Sequence, residues 1–291
     1  MKNNKKYAVF TMDVEDFADA GCLAMRNIIP TVEMYDGIDA YIDLLEKHGI
    51  RATLFTLKSS AVKLEDRLCE YSKRGHEIAI HGYDHTPLNY IDSKDFHEKL
   101  KDTKEYLEGL ISKKVVGFRA PFFSMDSEKF SAVRDIGFRY DSSSHAFTKK
   151  YLKNKLIKGA YDFSDYDEFL AGAYEKDSFF EFSLSCENIL GCAYPVSGGG
   201  YVRLCPWFIV GNGLKRYIRK NDLYVFYLHP FELSKNRDRQ LRKISPGERF
   251  YLNSGISEYA EKIERIIEML KREGFQFVTF EELCDLREKE K

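Results

Sequence analysis

Ala52-Thr-Leu-Phe-Thr-Leu57, then Ala61 to Arg74, Gly75, and Glu77-Ile-Ala-Ile-His81: this stretch carries the repeat that decides the fold. The first segment is an apolar run of strand length, rich in β-branched and aromatic residues. The second sets Leu64, Leu68 and Tyr71 on one helical face, and Gly75 can take the left-handed backbone that stops a helix. The third reads as another strand. Strand, helix and strand in so short a span make a β-α unit, whose two strands lie parallel in one sheet.

The same alternation continues on both sides. Upstream, Tyr7 to Met12 reads as a strand and Val32 to His48 as a helix with Ile38, Ile42 and Leu45 aligned before Gly49. Downstream, Ser93 to Leu110 is expected to be a helix facing the core with Phe96, Leu100, Leu107 and Leu110, and Val115 to Arg119 a strand. Asp126 can cap a helix through Ile136, with a short strand over Phe138 to Asp141. Ser178 to Leu184 and Leu223 to Leu228 read as strands, Ser257 to Arg272 as a helix stopped by Gly274, and Gln276 to Phe280 as a closing strand. The segment from Lys149 to Lys176 gives no clear signal, and the charged end from Arg287 to Lys291 is expected to fray. No repeat or linker divides the chain. The expectation is one α/β domain over residues 1–291, with a core from about residue 7 to residue 280 and a less regular insertion over about residues 145–205.

Seven or eight such strands can close into a barrel or stay open, and periodicity alone does not choose. Placement of the polar residues favours the barrel. Asp13, His81, Arg119, Asp141 and His229 all fall at the C-terminal ends of separate expected strands, where parallel α/β folds gather their active sites.

Bulk composition narrows the class of function. With 44% hydrophobic and 31% charged residues and a net charge of −1, the chain is of ordinary globular type and has no basic field for nucleic acid. The apolar run at Tyr7 to Met12 is too short for a signal-peptide core or a bilayer span. Cys22, Cys69, Cys186, Cys192, Cys205 and Cys284 form no C-x-x-C pair and read as reduced thiols of a cytoplasmic protein.

Chemistry concentrates in five short motifs. His81-Gly-Tyr-Asp-His85 spaces two imidazoles so that both can reach one ion, although an accidental pair is a real competitor among seven histidines. In Thr11-Met-Asp-Val-Glu-Asp16, strand alternation sends Asp13 and Glu15 to one side, so that one can bind a metal while the other takes a proton. Taken alone, this would be a solvated acidic loop. Phe118-Arg-Ala-Pro-Phe-Phe-Ser124 offers a guanidinium and backbone N–H groups able to hold an oxyanion, or else a structural turn with an Arg–Asp pair. Asp141, in Tyr140-Asp-Ser-Ser143, is the natural partner of Arg119 in either case. His229, in Tyr227-Leu-His-Pro230, is either a hydrogen-bonded core residue or a general acid.

In this order the motifs resemble the five motifs of the polysaccharide deacetylase family, carbohydrate esterase family 4, over about Tyr7 to Phe280. The resemblance implies a distorted (β/α)7–8 barrel that hydrolyses N-acetyl groups of amino sugars with one divalent metal, Zn2+ first and Co2+, Ni2+ or Mn2+ as alternatives. It implies that Asp13 is the base that activates water, that Glu15, His81 and His85 are metal ligands, that Arg119 orients Asp13 and that Asp141 holds Arg119. The backbone N–H near Phe122 would bind the oxyanion, His229 would protonate the leaving amine, and Leu228 would line the acetyl pocket. Family members often carry adjacent aspartates in the first motif. Here Val14 intervenes, which opens a choice between Glu15 and Asp16, and alternation favours Glu15.

Ser197-Gly-Gly-Gly-Tyr-Val-Arg203 resembles a motif of the subgroup tied to exopolysaccharide and surface-glycan synthesis. There Tyr201 would stack on a sugar, and a flexible loop after an aromatic strand is the equal alternative. The implied partner is an N-acetylated sugar, without nucleic acid or a transmembrane segment, and a homo-oligomer is left open. Location would be cytoplasmic, at the inner membrane face if the substrate is lipid-linked. Two other functions compete: hydrolysis of small non-sugar amides on the same site, and an inactive glycan-binding protein.

Overall fold

Lys6–Val14 forms the first strand, β1, buried along almost its whole length, as expected of a parallel strand covered on both faces. The computed structural model describes residues 5–19, 32–145, 163, 165–189, 192–236 and 245–291. The chain packs as two compact units, each drawn from two stretches of sequence: Met1–Ala52 with Ser185–Phe277, and Thr53–Leu184 with Val278–Lys291.

In the first unit β1 runs parallel to β11 (Leu223–Leu228), with Tyr7 opposite Leu223 and Met12 opposite Leu228, and parallel to β12 (Phe275–Phe277). Helix α1 (Asp36–Glu46) buries Ile38, Tyr41, Ile42 and Leu45. Helix α9 (Tyr259–Arg272) buries Ile263, Ile266, Ile267 and Leu270, the i, i+3, i+4, i+7 stripe of an amphipathic helix. The N-terminus of α1 lies against the turn that follows β11: a Cβ on Gly37 would come within 1.8 Å of the Pro230 carbonyl oxygen, so only glycine allows this approach. Asp36 accepts from Ser234 Oγ and from the Lys235 N–H.

In the second unit the strand order is β2 (Ala52–Leu57), β3 (Glu77–Gly82), β4 (Gly117–Phe118), β5 (Tyr140–Asp141), β8 (Phe179–Phe182), β7 (Ala173–Lys176) and β6 (Asp167–Leu170). The pairs from β2 to β8 are parallel and the last two antiparallel. Helices α3 (Glu65–Lys73), α4 (Ser93–Ile111) and α5 (Ser127–Asp135) belong to this unit. Asp126 caps α5 as expected, accepting the Lys129 N–H.

Several expectations need correction. Phe280 does not end a strand. Thr279 and Glu282 form a capping box, and α10 (Phe280–Lys289) starts there, with Phe280 stacked on Phe182 at 4.6 Å. The C-terminal end is not frayed, because Arg287 and Lys291 both pair with the buried Glu175. Ala61 ends a separate turn, α2 (Lys58–Ala61), rather than starting α3. Ser197 to Arg203 is no flexible loop: Gly198 precedes a helix, α6 (Gly199–Leu204), whose glycines are buried.

Glu77, at the start of β3, is buried and accepts from Tyr140 Oη at 2.6 Å, Thr53 Oγ1 at 2.7 Å and the Glu281 N–H at 3.1 Å. Burial outweighs these donors and pushes its carboxyl up from 4.5 to about 7. Between those values the folded protein holds a proton that the unfolded chain has released, so stability falls as pH rises through this window. Glu77→Gln is expected to remove that slope, worth up to roughly 3 kcal/mol. Urea unfolding on either side of the window checks this, and an unchanged slope in the variant excludes Glu77 as its source.

Candidate active site

Strand β1 delivers two carboxylates at its C-terminal end. Asp13 and Glu15 are both buried, and the Glu15 N–H bonds back to the Asp13 carbonyl at 3.0 Å, a tight turn that ends the strand. Asp16 is engaged locally: its Oδ1 accepts the Phe17 N–H at 2.7 Å and its own N–H reaches Asp19 at 3.1 Å. Beyond β11, His229 points Nε2 to within 3.7 Å of Glu15 Oε1, while Nδ1 lies 3.2 Å from Glu232 Oε2. Burial works against a charge on His229, but Glu15 and Glu232 outweigh it and push the imidazole up to about 9. Glu232 is fully buried. Burial acts to raise its carboxyl, and His229 and Arg203 prevail and hold it below the usual range.

In the second unit His81 is the last residue but one of β3 and His85 follows four residues later, their rings 5.3 Å apart. His81 Nδ1 lies 3.0 Å from the Arg119 carbonyl oxygen. A carbonyl can only accept, so the proton sits on Nδ1 and the lone pair on Nε2, the tautomer that a metal needs. His85 packs on the Phe122 ring at 4.3 Å. Phe122 and Phe123 have φ of 54° and 53°, a left-handed backbone that costs energy in aromatic residues and is found at functional turns. The N–H groups of Phe123 and Ser124 turn inward onto the carbonyls of Ala120 and Pro121.

Arg119 is fully buried over the Phe55 ring at 4.0 Å and donates from Nε and Nη2 to the Ser142 carbonyl and hydroxyl at 3.1 and 3.0 Å. Asp141 accepts from the Ser143 hydroxyl at 2.7 Å, and that hydroxyl takes the Ala120 N–H at 2.8 Å. Ser142 and Ser143 are thus site residues that sequence reading passed over, although Tyr140-Asp-Ser-Ser143 was in view. Glu232 and Arg203 were passed over as well. Glu232 was findable as the third residue after His229; Arg203, 29 residues before Glu232, gave no spacing signal.

Glu15 in the first unit and His81 and His85 in the second carry donor groups that could hold a metal ion. Two imidazoles and a carboxylate suit a borderline divalent ion, and the fixed His81 tautomer fits the same use.

Residues 28–140 match the family described as Polysaccharide deacetylase. Over that span the chain is similar to polysaccharide deacetylases. Asp13 and Glu15 precede the matched span, and residues 155–285 match a second family, a domain of unknown function (DUF3473). A peptidoglycan deacetylase-like protein of Gibberella zeae is 34% identical over 132 residues, 44% of this chain and 39% of that protein. The chain thus spans about two-fifths of that relative's length. A crystal structure assigned to a polysaccharide deacetylase of Mycobacterium smegmatis superposes with a TM-score of 0.61 at 16% identity, covering 100% of this chain and 93% of that one. A carbohydrate esterase family 4 pseudoenzyme from Bacillus anthracis gives 0.55 at 14% identity, covering 98% of this chain and 66% of that one. These likenesses show the fold, the mixed α/β (β/α)7–8 type expected of the polysaccharide deacetylase domain. Among the described residues no helix is long and apolar enough to cross a membrane.

Proposed function

We propose that the protein is a metal-dependent N-deacetylase that removes the acetyl group from an amino sugar of a bacterial surface glycan or its precursor. The observation that carries this reading is the His81–His85 pair, rings 5.3 Å apart with the His81 tautomer set by the Arg119 carbonyl, inside the span that matches polysaccharide deacetylases. Glu15, His81 and His85 would hold one divalent ion, Zn2+ by donor chemistry. When bound, the ion would supply Lewis acidity toward the acetyl carbonyl and make water acidic enough to ionise near neutral pH.

Asp13 takes a proton from the attacking water as its oxygen bonds to the acetyl carbon and the carbonyl electron pair moves onto oxygen. Arg119 orients Asp13, and the Ser142 contacts fix that guanidinium. Asp141 acts through Ser143 on the strand end that carries Arg119. The Phe122 N–H donates to the developing oxyanion. As the C–N bond breaks, its electron pair stays on nitrogen, which takes a proton from His229, leaving acetate and a free amino sugar. Leu228 lines the acetyl site, and Tyr201, 38% exposed on α6, stacks on the sugar.

A cytoplasmic site of action is part of this reading. The Bacillus anthracis neighbour favours a second reading, an inactive glycan-binding protein, because it carries this fold as a pseudoenzyme. Asp13, Glu15, His81, His85 and His229 are all present in this chain, which argues for catalysis.

Acetate release across N-acetylated sugars, with and without a chelator, tests the proposal. Release that stops with chelator and returns with Zn2+ is expected. Silence on every sugar, with small amides cleaved instead, would replace the sugar reading.

A further inference from the structure

Arg203 and Glu232 form a fully buried ion pair, Nε to Oε1 at 2.8 Å, and both lie in the part of the chain that matches a domain of unknown function. The other carboxylate oxygen of Glu232 accepts the His229 backbone N–H at 3.1 Å and faces His229 Nδ1 at 3.2 Å. We propose that Glu232 is a positioning residue for the proton donor His229, and that Arg203, carried on the triple-glycine helix α6, is the counter-charge that keeps Glu232 in place. This rests on the deacetylase reading above.

The chemistry follows from the contacts. A carboxylate facing Nδ1 makes that nitrogen the protonated one and sets the ring's rotation, so that Nε2 is the nitrogen on the Glu15 side. An isolated buried carboxylate would be too costly to keep ionised, and Arg203 removes that cost with a charge-assisted hydrogen bond.

The glycines explain how Arg203 gets there. A Cβ on Gly198 would lie 2.2 Å from the Tyr227 carbonyl oxygen, one on Gly199 would lie 2.9 Å from the Tyr227 hydroxyl, and one on Gly200 would lie 2.8 Å from the Tyr251 ring. Side chains there would lift α6 away from β11. Lys262 ties down the other end of α6, donating to the carbonyls of Val202, Arg203 and Cys205 at 3.2, 2.8 and 2.8 Å. Arg203 Nη1 bonds the Ser254 carbonyl, and Gly255 leaves room for the Arg203 carbonyl, which its Cβ would meet at 2.3 Å. The Ser197–Arg203 motif is therefore a mount for one guanidinium.

The test uses the full chain loaded with Zn2+, in wild type, Glu232→Gln and the double variant Arg203→Met/Glu232→Gln, which leaves no lone buried charge. Two acetyl donors separate positioning from folding. A chitin oligosaccharide has an amine leaving group that must be protonated, and 4-nitrophenyl acetate has one that leaves as the anion. Both variants are expected to bind Zn2+ like wild type and to lose about 10²-fold or more in kcat on the oligosaccharide, with KM within about threefold. On the ester the loss should stay below about tenfold. Equal losses on both donors, or none on either, overturn the proposal while leaving the deacetylase reading intact. A wild type that releases no acetate from any N-acetylated sugar overturns both.

Discussion

His81→Ala is expected to yield a folded protein that neither retains a divalent ion nor releases acetate. Apparent binding energies of structural zinc sites, about 10–16 kcal/mol over four ligands, assign about 2.5–4 kcal/mol to each ligand, a factor of roughly 10²–10³ in affinity. His81 is proposed for this role because its ring lies 5.3 Å from that of His85 and the Arg119 carbonyl fixes its tautomer. Removing the ring leaves that carbonyl without its partner, a cost of about 1–3 kcal/mol, which a domain of this size survives. Circular dichroism should therefore be unchanged while metal content after dialysis falls to a trace. Excess Zn2+ should restore part of the activity, because Glu15 and His85 remain. A dialysed His81→Ala protein that keeps a full equivalent of metal, or works without any, would remove His81 from the ligand set.

The elements legible in the sequence are those whose residues obey one clear period. Ala52–Leu57 and Leu223–Leu228 are strands with the expected bounds, because an unbroken apolar run leaves a parallel strand no alternative. Helix α4 runs from Ser93 as expected, capped by Asp92 accepting from the Lys94 and Asp95 N–H groups. Elements set by tertiary contacts were harder to see. Trp207–Lys220 is a helix, α7, despite Gly211 and Gly213, poor helix formers, because Val210, Leu214, Tyr217 and Ile218 are buried along one face. The capping boxes Ser245–Glu248, opening α8 (Pro246–Asn253), and Thr279–Glu282 were local and readable, and the apolar run over Gln276 to Phe280 masked the second.

Legibility of the site follows the same division. Asp13, His81, Arg119, Asp141 and His229 each stand at or just beyond the end of a parallel strand, as expected, because a strand's end fixes where its next residues emerge. Arg203 was hidden because burial and a close backbone approach bring it to Glu232 and leave no mark in sequence spacing, whereas Glu232 stands three residues after His229.

Asp13→Asn should separate the base from the ligand two residues away. Asparagine keeps the size of aspartate and can still accept a hydrogen bond, but it cannot hold a proton taken from water at neutral pH. Loss of general-base catalysis costs about 10²–10⁴ in kcat, and KM should change little if Asp13 acts mainly in the transition state. Metal content should match wild type, because the proposed ligands are Glu15, His81 and His85. Glu15→Gln should behave in the opposite way, losing metal first and recovering partly with excess Zn2+. Exchanged phenotypes, with Asp13→Asn metal-free and Glu15→Gln metal-loaded, would reverse the two roles. Asp13 and Glu15 are both buried at the same strand end and carry the same charge, so neither folding nor field distinguishes them. The comparison of metal content with kcat does, because only a ligand's loss is repaired by adding the ion.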